Sequence, residues 1–218
     1  MSGLTRKEIK HDEFLETAGD VGQWLEENWK LVLAVLGGAL VVLVVVLGWR
    51  QWSESKTDAL RNRLAEAQGA YLDEGPGSER ALESFRAIAS DAGSRQEGAV
   101  ARFYEGIMLL RSGDASAAIP PLEASAGESS DPLLRQNARV ALGRAHGVAG
   151  DLPAAEAILR EVAADEGSVY PPEEALMTLA ELHRTAGDDA AADAVLREVG
   201  ERFPGTPAAQ RASAASAQ

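Results

Sequence analysis

The sequence predicts an all-α protein in which a single N-terminal transmembrane helix precedes a solenoid of about four helical hairpins. Two patterns carry this prediction: an uncharged apolar run near the N-terminus, and a set of residues that recurs every 37 positions along the rest of the chain. The composition agrees with it, because only 5% of the 218 residues are aromatic and alanine is abundant. Such a composition favours close packing of helices over β-strands.

The apolar run covers residues 31–49 and contains no charged residue and no proline. At about 1.5 Å per residue it is roughly 28 Å long, close to the ~30 Å of a hydrocarbon core. A buried helix of a soluble protein would keep a polar face, which this run lacks. A cleaved signal peptide would have a shorter apolar run, nearer the N-terminus, followed by a small-residue cleavage site. We therefore predict an uncleaved membrane anchor.

The tryptophans of the chain all flank this run, where an amphipathic ring prefers the headgroup layer. They are predicted to be membrane-interface anchors: Trp24, Trp29, Trp49 and Trp52. The orientation stays open, because the basic residues near the run number four on either side. In the N-terminal head, residues 1–30, a stripe of Phe14, Val21 and Leu25 indicates a short amphipathic helix. This helix either docks a partner or lies at the interface and orients the anchor.

A 37-residue repeat organises the part of the chain that follows the anchor. Gly-Asp pairs recur at 113–114, 150–151 and 187–188. The other columns that keep the interval are Gly69, Gly106, Gly143 and Ala180; Ala81, Ala118, Ala155 and Ala192; Phe85, Leu122, Leu159 and Leu196; Ile88, Ser125, Val162 and Val199; and Gly93, Ser130, Gly167 and Pro204. The first column needs a small residue where two helices cross, the second a small residue that faces it, and the third a bulky apolar plug. Each unit is therefore predicted to be a helical hairpin that buries its apolar face against its neighbours.

The predicted domain organisation follows from these segments. The parts are an N-terminal head at 1–30, the transmembrane helix at 31–49, a helical connector at 50–61, the repeat domain at 62–209 and an Ala/Ser-rich tail at 210–218. Residues 206–218 are expected to begin as a capping helix. Pro120 and Pro121 lie inside the second helix of the second unit, so that helix should start late or kink.

No feature of the sequence points to catalysis, and we predict neither an enzyme nor a cofactor or metal site. The chain has no cysteine and no HExxH, phosphate-loop or GxSxG motif. Its formal charge of −13 disfavours nucleic-acid binding. His146 and His183 occupy equivalent repeat positions, which admits a paired metal or acid/base site, but a structural role in core-facing positions is the favoured interpretation.

The columns resemble the tetratricopeptide repeat, which combines a small residue in the first helix, a turn like Gly-Asp, an alanine and a large apolar residue in the second helix, and a closing proline. The period of 37 exceeds the usual ~34 residues, and the extra residues are expected in the loops near 126–132 and 167–172. The aromatic positions of the first helix hold Leu72, Leu109, His146 and His183. The resemblance implies a partner-binding groove that is lined by Arg63, Glu66, Phe103, Asn137, Arg144, Glu174, Met177, Glu181 and Arg184. The alternative for each of these residues is an ordinary solvent-facing position.

The whole layout resembles the YfgM-type family of ancillary subunits of the bacterial SecYEG translocon. The similarity is most specific at Gly48, Trp49, Arg50 and Trp52 and in the SESKTDALR segment that follows. It implies a single-pass protein of the bacterial inner membrane with a cytoplasmic N-terminus and a periplasmic repeat domain. It also implies protein partners, namely translocon subunits, periplasmic chaperones or exported chains, and no small-molecule substrate. The alternative function is a tethered structural adaptor for another cell-envelope machine, such as one for division or coat assembly.

Overall fold

The computed structural model describes residues 29–30, 38, 40–47, 49 and 56–216, and the chain divides into two compact units, residues 1–56 and 57–218. In the first unit, residues 40–47 are helical and every side chain from Leu40 to Leu47 is more than half exposed. Within the described part, no helix is both long enough and apolar enough to cross a membrane. Much of the predicted anchor at 31–49 and the predicted helix of the head lie outside the described residues.

The second unit is built from helices alone over its described residues. Residues 57–74 form helix α1, and the following helices are α2 (Glu79–Ala92), α3 (Gln96–Arg111), α4 (Ala115–Glu128), α5 (Pro132–Val148), α6 (Leu152–Ala164), α7 (Pro172–Thr185), α8 (Asp189–Arg202) and α9 (Pro207–Ala215). Consecutive helices pack against each other, and the first helices α3, α5 and α7 also lie side by side, with α9 next to α7. The predicted all-helical solenoid of hairpins is confirmed.

The Gly-Asp pairs form three turns of nearly identical geometry. Gly113, Gly150 and Gly187 have φ values of 90°, 94° and 81°, a left-handed conformation that glycine adopts without steric cost. The following aspartates are the N-caps of α4, α6 and α8, with φ and ψ within a few degrees of −93° and 68°. Each carboxylate accepts a hydrogen bond from the backbone N–H three residues later. The pair therefore ends one helix and starts the next.

The cap can be tested at Asp114, whose carboxylate accepts a hydrogen bond of 3.2 Å from the backbone N–H of Ala117. Asp114→Ala should lower the free energy of unfolding by about 1 kcal/mol, because the N-terminus of α4 loses an acceptor. Asp114→Asn is the matched control, since its amide oxygen caps equally well and the loss should be much smaller. Urea unfolding followed by circular dichroism measures both variants. Equal losses would show that charge, and not the cap, matters here.

The repeat columns form the cores of the hairpins. Every alanine of the second column is fully buried, and so are the bulky residues Phe85, Leu122 and Leu159. A Cβ atom built on Gly106 would lie 2.4 Å from Cγ of Leu122, and one on Gly143 would lie 2.8 Å from Cγ of Leu159. The small residue of the first helix therefore faces the bulky plug of the second. In the fourth column, Ser125 stays buried because its hydroxyl donates to the carbonyl of Ala99 at 2.8 Å.

One local expectation was wrong in part, and one residue departs from the repeat pattern. Of the two alternatives expected for α4, the late start is wrong: α4 starts in the same register as α6 and α8 in spite of Pro120 and Pro121, because the Asp114 cap fixes its first turn. The kink stays a prediction. Leu72 does not fill a core position and is 78% exposed. The turn between α1 and α2 spans four residues, 75–78, whereas the turns within the three later hairpins span three. Tyr71 instead packs on Tyr104, with 5.6 Å between the ring centroids.

Candidate partner-binding surface

Three adjoining clefts run along the first helices of the hairpins. The α3–α5 cleft has a volume of about 490 Å³, the α5–α7 cleft about 330 Å³ and the α7–α9 cleft about 390 Å³. Arg144 and Val148 line both the α3–α5 cleft and the α5–α7 cleft. Glu181 and Thr185 line both the α5–α7 cleft and the α7–α9 cleft. The shared residues make the three clefts one surface that crosses α3, α5, α7 and α9.

The α3–α5 cleft is mainly apolar. Its apolar and aromatic lining includes Phe103, Ile107, Leu110, Val140, Val148 and Tyr170. Phe103, Ile107 and Leu110 project from α3 at helical spacing and are only partly buried, while Val148 at the end of α5 is 55% exposed. The polar lining consists of Arg111, Asn137 and Arg144. The cleft thus presents accessible apolar surface with cationic groups beside it.

Tyr170 reaches this cleft from the loop between α6 and α7. That loop spans residues 165–171, whereas the loop between α4 and α5 spans only 129–131. Ser168 holds the loop, because its hydroxyl donates to the carbonyl of Tyr170 and accepts from the backbone N–H of Tyr170, both at 3.1 Å. Burial raises the pKa of the Tyr170 phenol and the charge of Glu174 raises it further, against a smaller opposite effect of Arg144. The phenol is therefore neutral and can donate a hydrogen bond.

The predicted groove residues do not all lie on one surface: some line the joined clefts, and others line a separate cleft between α1 and α2. Phe103, Asn137 and Arg144 line the α3–α5 cleft, while Glu174, Met177, Glu181 and Arg184 line the α7–α9 cleft. Arg63 and Glu66 lie apart, in a cleft of about 280 Å³ between α1 and α2. Arg63 is there bound to Asp91 at 2.7 Å. Seven of the nine residues thus line the joined clefts, and two do not.

Four of these seven residues take part in ion pairs, and two of the three pairs join equivalent positions of successive units. Glu174 accepts a hydrogen bond from Arg211, which lies 37 residues further on in α9. Arg144 approaches Glu181, also 37 residues away, at 4.0 Å, and Arg184 lies 3.5 Å from Asp193. Equivalent positions of neighbouring units therefore form ion pairs across the α7 region. Exposed pairs of this kind contribute little stability, but they leave fewer free charges in the α7–α9 cleft.

The sequence did not identify several residues of the α3–α5 cleft. These are Ile107, Leu110, Arg111, Val140, Val148 and Tyr170. For Tyr170 the sequence offered one indication: the period of 37 predicts extra loop residues near 167–172. The period does not predict the direction of their side chains. The apolar residues of α3 and α5 follow helical spacing, which does not distinguish a core face from a face left open by the next hairpin.

The two histidines lie at the ends of first helices, beside the N-cap aspartates. His146 Nδ1 is 3.5 Å from Asp151 Oδ2, and His183 Nδ1 is 3.9 Å from Asp188 Oδ2. Both nitrogens are buried and neither has a hydrogen-bond partner. Residues 29–30, 38, 40–47, 49 and 56–216 contain no group of three or more His, Cys, Asp or Glu side chains that could hold a metal ion. Each histidine faces a different hairpin turn, so the structure does not join them in one site.

Of the predicted interface tryptophans, Trp29 and Trp49 belong to the described residues and are 55% and 71% exposed. The Lys30 ammonium lies over the Trp29 ring at 5.9 Å from its centroid. Trp24 and Trp52 lie outside the described residues.

A comparison with protein families matches residues 22–172 to the tetratricopeptide repeat-like domain. The matched stretch includes the apolar run at 31–49 and the first three hairpins. No curated protein and no solved structure gives a significant match.

Proposed function

The chain belongs to the family of tetratricopeptide repeat-like domains, and we propose on this basis that it is a membrane-anchored scaffold whose joined clefts bind partner proteins. Stacked helical hairpins offer extended surfaces of the kind that take up peptide segments and helices. The observation that carries the proposal is the single surface formed by the three adjoining clefts, which combines apolar side chains with charged ones. A surface of this composition suits recognition of a protein segment better than chemistry.

The anchor is assigned to residues 31–49. Supporting it are the length of the uncharged run and its flanking tryptophans. The described residues from Leu40 to Leu47 are helical, apolar and each between 52% and 63% exposed. Exposed apolar surface on all sides of a helix is stable in lipid and costly in water. The family match supports linking the run to the repeats, since it spans both.

Deletion of residues 31–49 should move the chain from the membrane fraction to the soluble fraction after a carbonate wash. Replacement of the same residues by a leucine-alanine run of equal length is the matched control, because it keeps the hydrophobic length and removes the native sequence. The control protein should stay in the membrane. Retention of the deleted protein would contradict anchoring by this segment.

We assign the scaffold to the SecYEG translocon as an ancillary subunit that links the channel to periplasmic chaperones. The assignment is supported by the similarity of residues 48–52 and of the following SESKTDALR segment to the YfgM-type family. It requires an N-terminus in the cytoplasm and a repeat domain in the periplasm. In intact cells added protease should leave residues 57–218 untouched, and in spheroplasts it should degrade them. Protection in spheroplasts would reverse the orientation and exclude this role.

Site-specific photo-crosslinking tests the partner. A benzophenone side chain at Phe103, inside the α3–α5 cleft, should give crosslinks to translocon subunits, chaperones or exported chains in living cells. The matched control is the same side chain at Arg197, which is exposed on α8 and lines none of the clefts. Crosslinks at Phe103 to division or coat-assembly proteins would favour the adaptor role instead. Equal crosslinking at both positions, or none at Phe103, would contradict binding in the clefts.

A further inference from the structure

The α3–α5 cleft differs in charge from the other clefts of the repeat unit. Glutamates line the α1–α2, α5–α7 and α7–α9 clefts, but no acidic side chain lines the α3–α5 cleft. Two arginines, Arg111 and Arg144, line it instead. In a chain with a formal charge of −13, this cleft brings two basic side chains together without an acidic one in its lining.

The two arginines differ in how far their positive charge is paired. Arg111 makes no ion pair within the part of the chain that the structure describes, and the carboxylate nearest to Arg144 is that of Glu181, at 4.0 Å. Arg102 gives a contrast, because its guanidinium is held in place by Glu128 at 2.6 Å and by the carbonyl of Gly93 at 2.8 Å. Both arginines of the cleft are exposed. Arg111 can bind an added carboxylate directly, and Arg144 can bind one in addition to its long, exposed contact with Glu181.

The apolar part of the α3–α5 cleft is partly exposed and can be covered by apolar side chains of a partner. Phe103, Ile107 and Leu110 keep part of their surface open, and covering such surface yields roughly 25 cal/mol per Å². The cleft also continues past Arg144 and Val148 into the α5–α7 cleft. A bound chain can therefore run from one cleft into the next without having to end in the α3–α5 cleft.

We propose that the α3–α5 cleft binds an internal segment of a partner protein in which an acidic side chain stands next to bulky apolar side chains. The apolar side chains pack on Phe103, Leu110 and Tyr170, and the carboxylate pairs with Arg111 and Arg144. The neutral phenol of Tyr170 adds a hydrogen-bond donor beside Arg144. This assignment rests on the proposed scaffold function and specifies the chemistry of the partner.

Selection from a random peptide display library, with peptides presented internally and the full chain held in nanodiscs, tests the preference directly. We expect the selected peptides to be enriched in segments that combine Leu, Phe or Met with an adjacent Asp or Glu. Enrichment of basic or uncharged segments, or no selection over empty nanodiscs, would overturn the proposal. Preference for a free C-terminal carboxylate in a second library, with displayed C-termini, would also overturn it.

A charge exchange then tests the role of Arg111. Arg111→Glu should weaken binding of the best selected peptide by about five- to tenfold, as expected for reversal of one partly exposed ion pair. A peptide with Lys in place of the acidic residue should regain affinity for this variant and not for the native chain. Arg95→Glu is the matched control, because it makes the same change at the other end of α3, outside the clefts. A structural role of Arg111 would not produce this rescue.

The two proposals fail in different ways. If Phe103 crosslinks to partners in cells while the charge exchange gives no rescue, the scaffold function stands and the acidic segment is wrong. If Phe103 gives no crosslinks, the binding surface itself is wrong.

Discussion

Phe85→Ala is expected to lower the free energy of unfolding of the repeat unit by about 3–5 kcal/mol. Phe85 is fully buried between α1, α2 and α3, and its ring stacks on that of Tyr104 with 5.0 Å between the centroids. Truncation removes this contact and leaves a cavity that the rigid helix crossings cannot fill. Urea unfolding of the full chain in mild detergent, followed by circular dichroism at 222 nm, measures the loss.

Leu72→Ala is the matched control for this change. Leu72 lies in the same hairpin and is 78% exposed, so its truncation should change the free energy by no more than about 0.5 kcal/mol. In a solenoid the first hairpin can unfold separately from the rest. Hydrogen exchange of peptides from α2 therefore shows whether the Phe85→Ala loss is local. A larger effect of Leu72→Ala than of Phe85→Ala would contradict the packing of this hairpin.

The sequence predicted the hairpins well because some repeat columns keep one steric role in every unit. A position that accepts only a small side chain, such as the alanine column from Ala81 to Ala192, keeps its identity in every unit. The Gly-Asp turns are equally easy to predict, because the local backbone needs a residue that adopts a left-handed conformation followed by a residue that caps the next helix. Local requirements of this kind can be read without knowing the neighbouring units.

The candidate surface was predicted only in part, because its character depends on departures from the repeat. Phe103 and Asn137 occupy regular positions, and the resemblance to the repeat family identified them. Tyr170 enters through the longer loop at 165–171, and Val148 is exposed at the end of α5. The difference in charge between the clefts likewise needs the structure, since it depends on which charges pair. Glu174 and Arg211 stand 37 residues apart and could have been recognised as a pair from the period.

The first hairpin, formed by α1 and α2, shows where the 37-residue period fails to predict which residues are equivalent. Its turn has one residue more than the turns within the later hairpins, so the 37-residue interval no longer relates α1 to the other first helices. Leu72 falls in the column of Leu109, yet Leu109 is buried and Leu72 is not. Gly69 falls in the column of Gly106, and the two glycines also have different surroundings.

Gly106→Ala should therefore destabilise the repeat unit, by about 2 kcal/mol. The new Cβ would lie 2.4 Å from Cγ and 2.7 Å from Cδ2 of Leu122, a fully buried side chain that would have to shift. Overpacking of this kind costs about 3 kcal/mol in a tight core. The gain of about 1 kcal/mol in helix propensity offsets only part of this cost.

Gly69→Ala makes the identical substitution in the same column and should have the opposite sign. A Cβ on Gly69 would meet nothing within 4 Å, so only the gain in helix propensity remains and the free energy of unfolding should rise by about 1 kcal/mol. Urea midpoints of the two variants against the native chain give both signs in one experiment. If both variants were stabilised, the α3–α4 crossing would be looser than the contact of Gly106 with Leu122 requires. If both were destabilised, α1 would pack in the same register as α3, and the exposure of Leu72 would lose its explanation.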